Sequence, residues 1–448
     1  MMIDKIKLEE NAYSIDREYY SKYDVKKGLR NSDGSGVLAG LTKVSEVHGY
    51  IIYEDEKMAD EGSLAYRGHD INILARKCGI NKRYKFEEAV FLLLYGRLPE
   101  KEEFEEFLRM ISEYANLPEG FTEDTVIKAP SQDVMNKLSR GVLTLYSYDD
   151  DPDSTTIDNV LKQSLMLIAR IPTLAAYDYR AKRHYYDGES LILHSPRKEY
   201  SIAENILAMI RSDAKFTKEE AEILDLCLLL HAEHGGGNNS AFTCRVLTSS
   251  GTDTYSAISG AINALKGPKH GGANYKVVKM MEDIKENVSD WTDEEEVRAY
   301  LNAIMDKKVG DKSGLIYGVG HAVYTRSDPR TVILKKKAKI LAHKKGFEKE
   351  FALYELVEKI APNLVYERKG RIKEVSCNVD FYSGFVYTML NIPSEMYTPL
   401  FAIARNAGWC AHRLEELITS KKILRPAYKS ICKIGAKYVE KKERGFDI

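Results

Sequence analysis

Little in this sequence carries a net electrostatic field. Its 66 Lys+Arg and 67 Asp+Glu leave a formal charge of -1, which argues against the broad basic surface that draws a protein to nucleic acid or anionic membrane. Long apolar runs are also missing: none approaches the length of a membrane span. The opening stretch MMIDKIKLEENAYSIDREYY has acidic residues throughout and no apolar core of a secretory signal. Cys78, Cys227, Cys244, Cys377, Cys410 and Cys432 are scattered without a C-x-x-C pair. That spacing suits reduced thiols, and hence a cytoplasmic setting, better than a disulfide framework. Alternation of apolar and polar residues is thin as well, with one small hairpin expected around HGYIIYEDEK. No repeat of fixed period and no long linker is present.

What is present is helical periodicity. Leu224, Cys227, Leu228 and His231 follow the i, i+3, i+4, i+7 spacing, and so do Val277, Met280, Met281 and Ile284. FEEAVFLLLYGRLPEKEEFEEFLRMISEYANLP reads as two helices broken at Gly96 to Pro99. SLMLIARIPTLAAYDYRA reads as a helix interrupted by Pro172. The acidic YDDDPDS, Asp149 to Ser154, reads as a loop leading into a helix. The fold class is mainly α, and 448 residues exceed what one core usually serves, so two domains are expected. Basic clusters such as RAKRHYY and LKKKAKILAHKK read as solvated faces, the first also suiting a phosphate-bearing substrate.

Four clusters carry chemistry. In LLLHAEHGGGNNSAFTCR a helix ends near His231 and His234. His231 continues the apolar stripe as a core histidine, while His234, at the glycine boundary, is the one to meet a ligand. Their i, i+3 spacing also fits metal ligands, but no third ligand and neither H-E-x-x-H nor H-x-x-E-H is present; no metal is expected. In KGPKHGGANYKVVKMM a helix starts near Ala273, so its dipole keeps His270 neutral and able to donate to a developing oxyanion. In GLIYGVGHAVYTRSDPR glycines precede His321, and Pro329 keeps Asp328 out of a helix and re-aims Arg330. In CNVDFYSGFVYTML Asp380 sits in apolar company, where burial raises its proton affinity and makes it a better base. Two histidines and a carboxylate with arginines nearby are what enolisation of a weak carbon acid requires. No metal or organic electron sink is needed for it.

These stretches, in this order, resemble the citrate synthase family: GPKHGGAN, GVGHAVYTRSDPR, NVDFYSG, FAIARNAGWCAHRLEE and RPAY, with the likeness beginning at SLAYRGHDI, Ser63. The resemblance implies a helical dimer whose large domain (residues 1–274 and 383–448) and small domain (275–382) close over a cleft. It implies condensation of acetyl-CoA with oxaloacetate, coenzyme A being substrate and no cofactor being needed. Asp380 would take the methyl proton, His270 would steady the enol, and His321 would bind the oxaloacetate carbonyl. Citryl-CoA would then be hydrolysed to citrate and CoA. Arg330, Arg405 and His234 would hold oxaloacetate, joined by Arg425 from the neighbouring subunit. Lys312, Arg326 and Lys373 are the candidates for CoA.

The chain departs from the family pattern at Val319, where relatives often carry an aromatic, at Cys377, often proline, and at Thr325, in some an arginine that meets CoA. These changes touch the acyl-CoA contacts, and 2-methylcitrate synthase, using propionyl-CoA, is the alternative. A helical binding protein without turnover and a metal hydrolase are the readings from other classes. Asp380→Asn separates the first, which predicts no effect of it; a chelator separates the second.

Overall fold

The computed structural model describes residues 13–445 except 32, 55, 369, 371–373, 421, 433, 434 and 436. Three strands, β1 (Ser45–Tyr53), β2 (Glu56–Tyr66) and β3 (His69–Asp70), form an antiparallel sheet in that order. The expected hairpin is there, gaining β3 at its edge. Among the described residues, sixteen α-helices make up most of the rest. The first eight are α1 (Arg17–Lys22), α2 (Ile71–Lys77), α3 (Lys85–Tyr95), α4 (Lys101–Tyr114), α5 (Val134–Thr144), α6 (Ile157–Asp187), α7 (Ile202–Ile210) and α8 (Lys218–His231). There follow α9 (Asn239–Ser249), α10 (Thr254–Lys266), α11 (Ala273–Asn287), α12 (Glu294–Met305), α13 (Pro329–Lys345), α14 (Glu348–Arg368), α15 (Asp380–Met389) and α16 (Tyr397–Thr419).

Helix boundaries follow local chemistry. At the start of α8, Thr217 and Glu220 form a reciprocal capping box, and α3 ends on Gly96 in the left-handed region. One expectation fails. Pro172 lies inside α6, which runs unbroken for 31 residues. A proline there costs roughly 3 kcal/mol in isolation, but α6 is buried from Val160 to Ala181 almost without interruption and packs on α4, α5, α7 and α16. Tertiary burial outweighs local propensity. Pro329 acts as expected: Asp328 stays extended, as the N-cap, and the proline itself takes the first position of α13. Its missing N–H is one that a helix start leaves unbonded anyway.

Helix α16 is the axis of the core: nearly every residue from Tyr397 to Leu414 is buried, the pattern of a helix surrounded on all sides. It packs on α3, α5, α6, α8, α9, α10 and α11. A second group, α11 to α15, packs chiefly on itself through the pairs α11–α15, α13–α15, α13–α14 and α12–α14. The α11–α15 contact matters most, because one helix begins just after His270 and the other begins at Asp380. It is closed by Gly384: a Cβ there would lie 2.6 Å from Val278 Cγ2 and 2.8 Å from the Asn274 carbonyl oxygen. Gly384→Ala is therefore expected to push the helices apart at a cost of about 1–3 kcal/mol, as for other overpacked sites. Thermal unfolding followed by circular dichroism checks this; an unchanged Tm would remove the close packing from the account.

Candidate active site

The glycines before His321 work by backbone contact. Val319 bridges Cys377 in antiparallel fashion. Gly320 N–H donates to the Ser376 carbonyl at 2.8 Å and Asn378 N–H to the Gly318 carbonyl at 2.9 Å. The Asn378 side chain adds a bond to the Gly320 carbonyl at 2.9 Å and accepts the Asp380 N–H at 3.0 Å. His321 thus stands one residue beyond one side of a short ladder and Asp380 two beyond the other. Gly318 has φ +77, and a Cβ on it would meet Val277 and Phe381 below 3.0 Å, so both backbone conformation and space select glycine.

His321 Nδ1 accepts two backbone N–H groups, from Val323 at 3.0 Å and Tyr324 at 3.2 Å. A nitrogen that accepts cannot also bear the proton, so the neutral ring carries it on Nε2. His234 meets the His321 ring edge to face, with centroids 5.0 Å apart, and its Nε2 lies 3.1 Å from the Tyr324 hydroxyl. His231 is turned elsewhere, its Nδ1 being 2.7 Å from the Cys227 carbonyl, so the two histidines of that helix end have separate partners. Among the described residues no group of three or more His, Cys, Asp or Glu is arranged to hold a metal ion.

His270 lies in the turn between α10 and α11, with Nε2 3.0 Å from Ser240 Oγ. That hydroxyl accepts the Trp409 indole N–H at 3.1 Å, and Asn238 Oδ1 is a second taker for its proton at 2.9 Å. Burial, followed by the field of Arg405, pulls the His270 pKa down to about 4. The His234 pKa falls well below the usual histidine value, first through burial and then through Arg330. Both rings are neutral at physiological pH. Asp380 moves the other way, to about 6, because burial outweighs the attraction of Arg330 and Arg405. The residue keeps partial exposure, but its Oδ1 is sealed from solvent and has no hydrogen-bond partner.

The two arginines differ. Arg330 is neutralised locally: Nε and Nη2 contact the two Asp328 carboxylate oxygens at 3.0 and 2.7 Å. Asp328 Oδ2 also accepts the Val379 N–H at 3.2 Å, tying the pair to the start of α15. Arg405 Nε donates to the His231 carbonyl at 2.8 Å, yet both terminal nitrogens are buried without a partner. Burial pulls its pKa down to about 10, opposed first by Glu233. Glu233 is itself held by His412 Nε2 and Ser45 Oγ, each at 2.8 Å. An unpaired buried guanidinium is costly, and its field reaches Asp380 and His270, whose proton affinities it shifts.

The remaining candidates lie apart from this cluster. Arg425 is exposed on the segment beyond α16, Lys312 is exposed in a turn, and Arg326 is half-exposed and paired with Glu374 at 3.4 Å. Lys373 lies outside the described residues. A cavity of about 370 Å³ opens between α4, α6 and α7, lined among others by Ile111, Pro172 and Met209, and touches none of these groups. Sequence alone did not single out Ser240 or Tyr324, nor a site role for Asp328 and Asn378. The last two sit beside named candidates, in DPR and NVD, and the signal was their short side chains two residues before an arginine and an aspartate.

Known proteins resemble this chain along most of its length. The citrate synthase C-terminal domain family matches residues 33–427. A 2-methylcitrate synthase of Corynebacterium glutamicum is 33% identical across 91% of this chain and 95% of its own length. A citrate synthase of Synechocystis is 33% identical across 94% of each. Among solved structures, citrate synthase from Pyrobaculum aerophilum superposes with a TM-score of 0.74 at 29% identity, over 91% of this chain and 94% of that one. Citrate synthase from Thermoplasma acidophilum, in ternary complex with carboxymethyl coenzyme A and oxaloacetate, gives 0.76 at 25% identity over 94% and 99%. Sequence motifs, helical architecture and these matches together make the chain a member of the citrate synthase family.

Proposed function

We propose that this protein condenses acetyl-CoA with oxaloacetate and hydrolyses the resulting citryl-CoA to citrate and CoA. The observation that carries this reading is Arg405, a buried cation with two unpartnered nitrogens beside a raised carboxyl and two neutral imidazoles. A small dianion answers the need of that guanidinium for carboxylate oxygens. Oxaloacetate binds first, one carboxylate on Arg405 and the other toward Arg330, with His234 alongside. His321, with its proton on Nε2, polarises the ketone. Asp380 removes a methyl proton from the thioester, and its raised pKa brings it closer to the proton it must take. When the Ser240 hydroxyl donates its hydrogen bond to His270 Nε2, the neutral ring carries its own proton on Nδ1 and presents Nδ1–H to the developing enol oxygen. The enol carbon attacks the ketone, His321 delivers its proton to the new alkoxide, and water cleaves the thioester.

Helices α11 to α15 form the mobile part, closing residues 275–382 over the large domain and excluding water. Their packing chiefly on one another supports this division. The working unit is a homodimer in which Arg425 from a second copy completes the oxaloacetate site. In its support, Asp328 already neutralises Arg330, and the segment bearing Arg425 is exposed on its own protomer. Among the described residues no helix is long and apolar enough to cross a membrane, and the cysteines are free thiols; a cytoplasmic setting suits both. CoA lies along the Lys312–Gly320 loop, with Lys312, Arg326 and Lys373 as candidate phosphate contacts.

The second reading is 2-methylcitrate synthase, favoured by the similarity to the Corynebacterium glutamicum enzyme. One methylene in an apolar pocket is worth only about 1–3 kcal/mol, so the two thioesters must be compared directly. CoA release with oxaloacetate and each of acetyl-CoA and propionyl-CoA is expected to show turnover with at least one, the larger kcat/KM naming the enzyme. No release from either would remove the condensation reading. Asp380→Asn and His270→Ala should each lower kcat by roughly a hundredfold to ten-thousandfold while oxaloacetate binding persists. Arg405→Ala should instead weaken oxaloacetate by at least about thirtyfold, the penalty of breaking a desolvated charge pair; calorimetry showing equal affinity would take Arg405 out of the site. The pH profile has a defined sign. Asp380 must be ionised to act and His270 neutral, so kcat/KM for the thioester should climb with pH around 6 and then level. A profile that is flat or falls through that region would show that Asp380 is not the base.

A further inference from the structure

The loop after His321 makes a second contact, one that the condensation chemistry does not use. Strands β1 and β2 lose register midway: His48 faces Ser63, but the next pair is Tyr50 with Ala59. Gly49 therefore lies opposite three residues, Asp60, Glu61 and Gly62. Such a bulge leaves backbone groups outside the ladder and turns them aside. Thr325 Oγ1 donates to the Gly49 carbonyl at 2.5 Å and accepts the Asp60 N–H at 3.1 Å. Ser327 Oγ accepts the Gly62 N–H at 3.1 Å and donates to Glu61 Oε2 at 2.5 Å. The approach is close enough to forbid side chains. A Cβ at Gly49 would lie 2.7 Å from Tyr324 Cα, and one at Gly62 would lie 2.0 Å from the Ser327 carbonyl oxygen. Thr325 is 2% exposed, so water cannot stand in for its hydroxyl.

We propose that the bulge is a clasp and that Thr325 is a positioning residue, fixing how deeply His321 and Arg330 stand in the cleft. The gripped segment runs from Val323 to Ser327. At one end the Val323 and Tyr324 N–H groups set the His321 ring and its tautomer. At the other, Ser327 leads into Asp328, the carboxylate that holds Arg330. Between them the Tyr324 hydroxyl meets His234. Movement of Thr325 off the bulge would therefore misplace groups on both sides of oxaloacetate. The inference rests on the roles given above to His321 and Arg330.

The test compares full-length Thr325→Val and Thr325→Ser with the parent protein, reading kcat, the oxaloacetate KM, and amide hydrogen exchange across residues 321–330. Removing the hydroxyl should lower kcat/KM for oxaloacetate by about tenfold or more and speed exchange by about as much, the scale of one or two lost buried hydrogen bonds. Serine keeps the hydroxyl and should restore both to within about threefold. A folded valine variant with parental exchange and kinetics would overturn the clasp. So would valine and serine variants impaired alike, which would point to packing of the methyl group instead. Should the valine variant fail to fold, Ser327→Ala removes the outer half of the clasp and is expected to shift both readouts in the same direction by about threefold; no shift there overturns the proposal too. If the parent protein releases CoA from neither thioester, the condensation reading fails, while the exchange comparison still decides whether the clasp exists.

Discussion

A ladder of a few backbone bonds carries the site. Val319 against Cys377, with Gly318, Gly320, Ser376 and Asn378 supplying the hydrogen bonds, joins the segment that leads to His321 to the one that leads to Asp380. These residues are some sixty positions apart, and no helix contains both. Elsewhere the fold supplies the rigidity this short contact lacks: α11 and α15 touch backbone to side chain at Gly384, and α16 anchors Arg405 at the centre of the core. The ladder also explains why the loop tolerates so little side chain, since Gly318 is pressed onto Phe381 in the first turn of α15.

The electrostatics of the cluster follow from withholding water rather than from adding charge. His270, His234 and Asp380 all shift first because they are buried, with Arg330 and Arg405 as secondary influences. The result is two neutral rings and one reluctant acid at the same place. Such a set is poor for stability, because each group would be better solvated outside, and it is suited to moving a proton from carbon.

Much of this was legible beforehand. Helical class came from periodicity, the hairpin from HGYIIYEDEK, and the candidate groups from glycines and ionisable residues that recur in motif order. The failure was a proline: Pro172 is outvoted by burial along α6. It cannot be read from local rules, because it depends on tertiary packing. Pro329 did keep Asp328 extended, and α13 starts on the proline itself. The supporting residues were hidden for a different reason. Ser240 meets His270 and Trp409 only after three separate helices have packed, and Thr325 meets Gly49 across 276 positions. Asp328 was visible in DPR, but its meaning changed from chain director to counter-ion.

That counter-ion has a consequence for how a two-headed anion is read. Both Asp328 carboxylate oxygens accept from Arg330, whereas Arg405 keeps its two terminal nitrogens buried and without a partner. The pocket is thus electrically lopsided before anything arrives, strong at one pole and muted at the other. If the proposed dicarboxylate binds there, it has a preferred way round, so the choice of which end leads is built into the empty protein instead of being negotiated after capture.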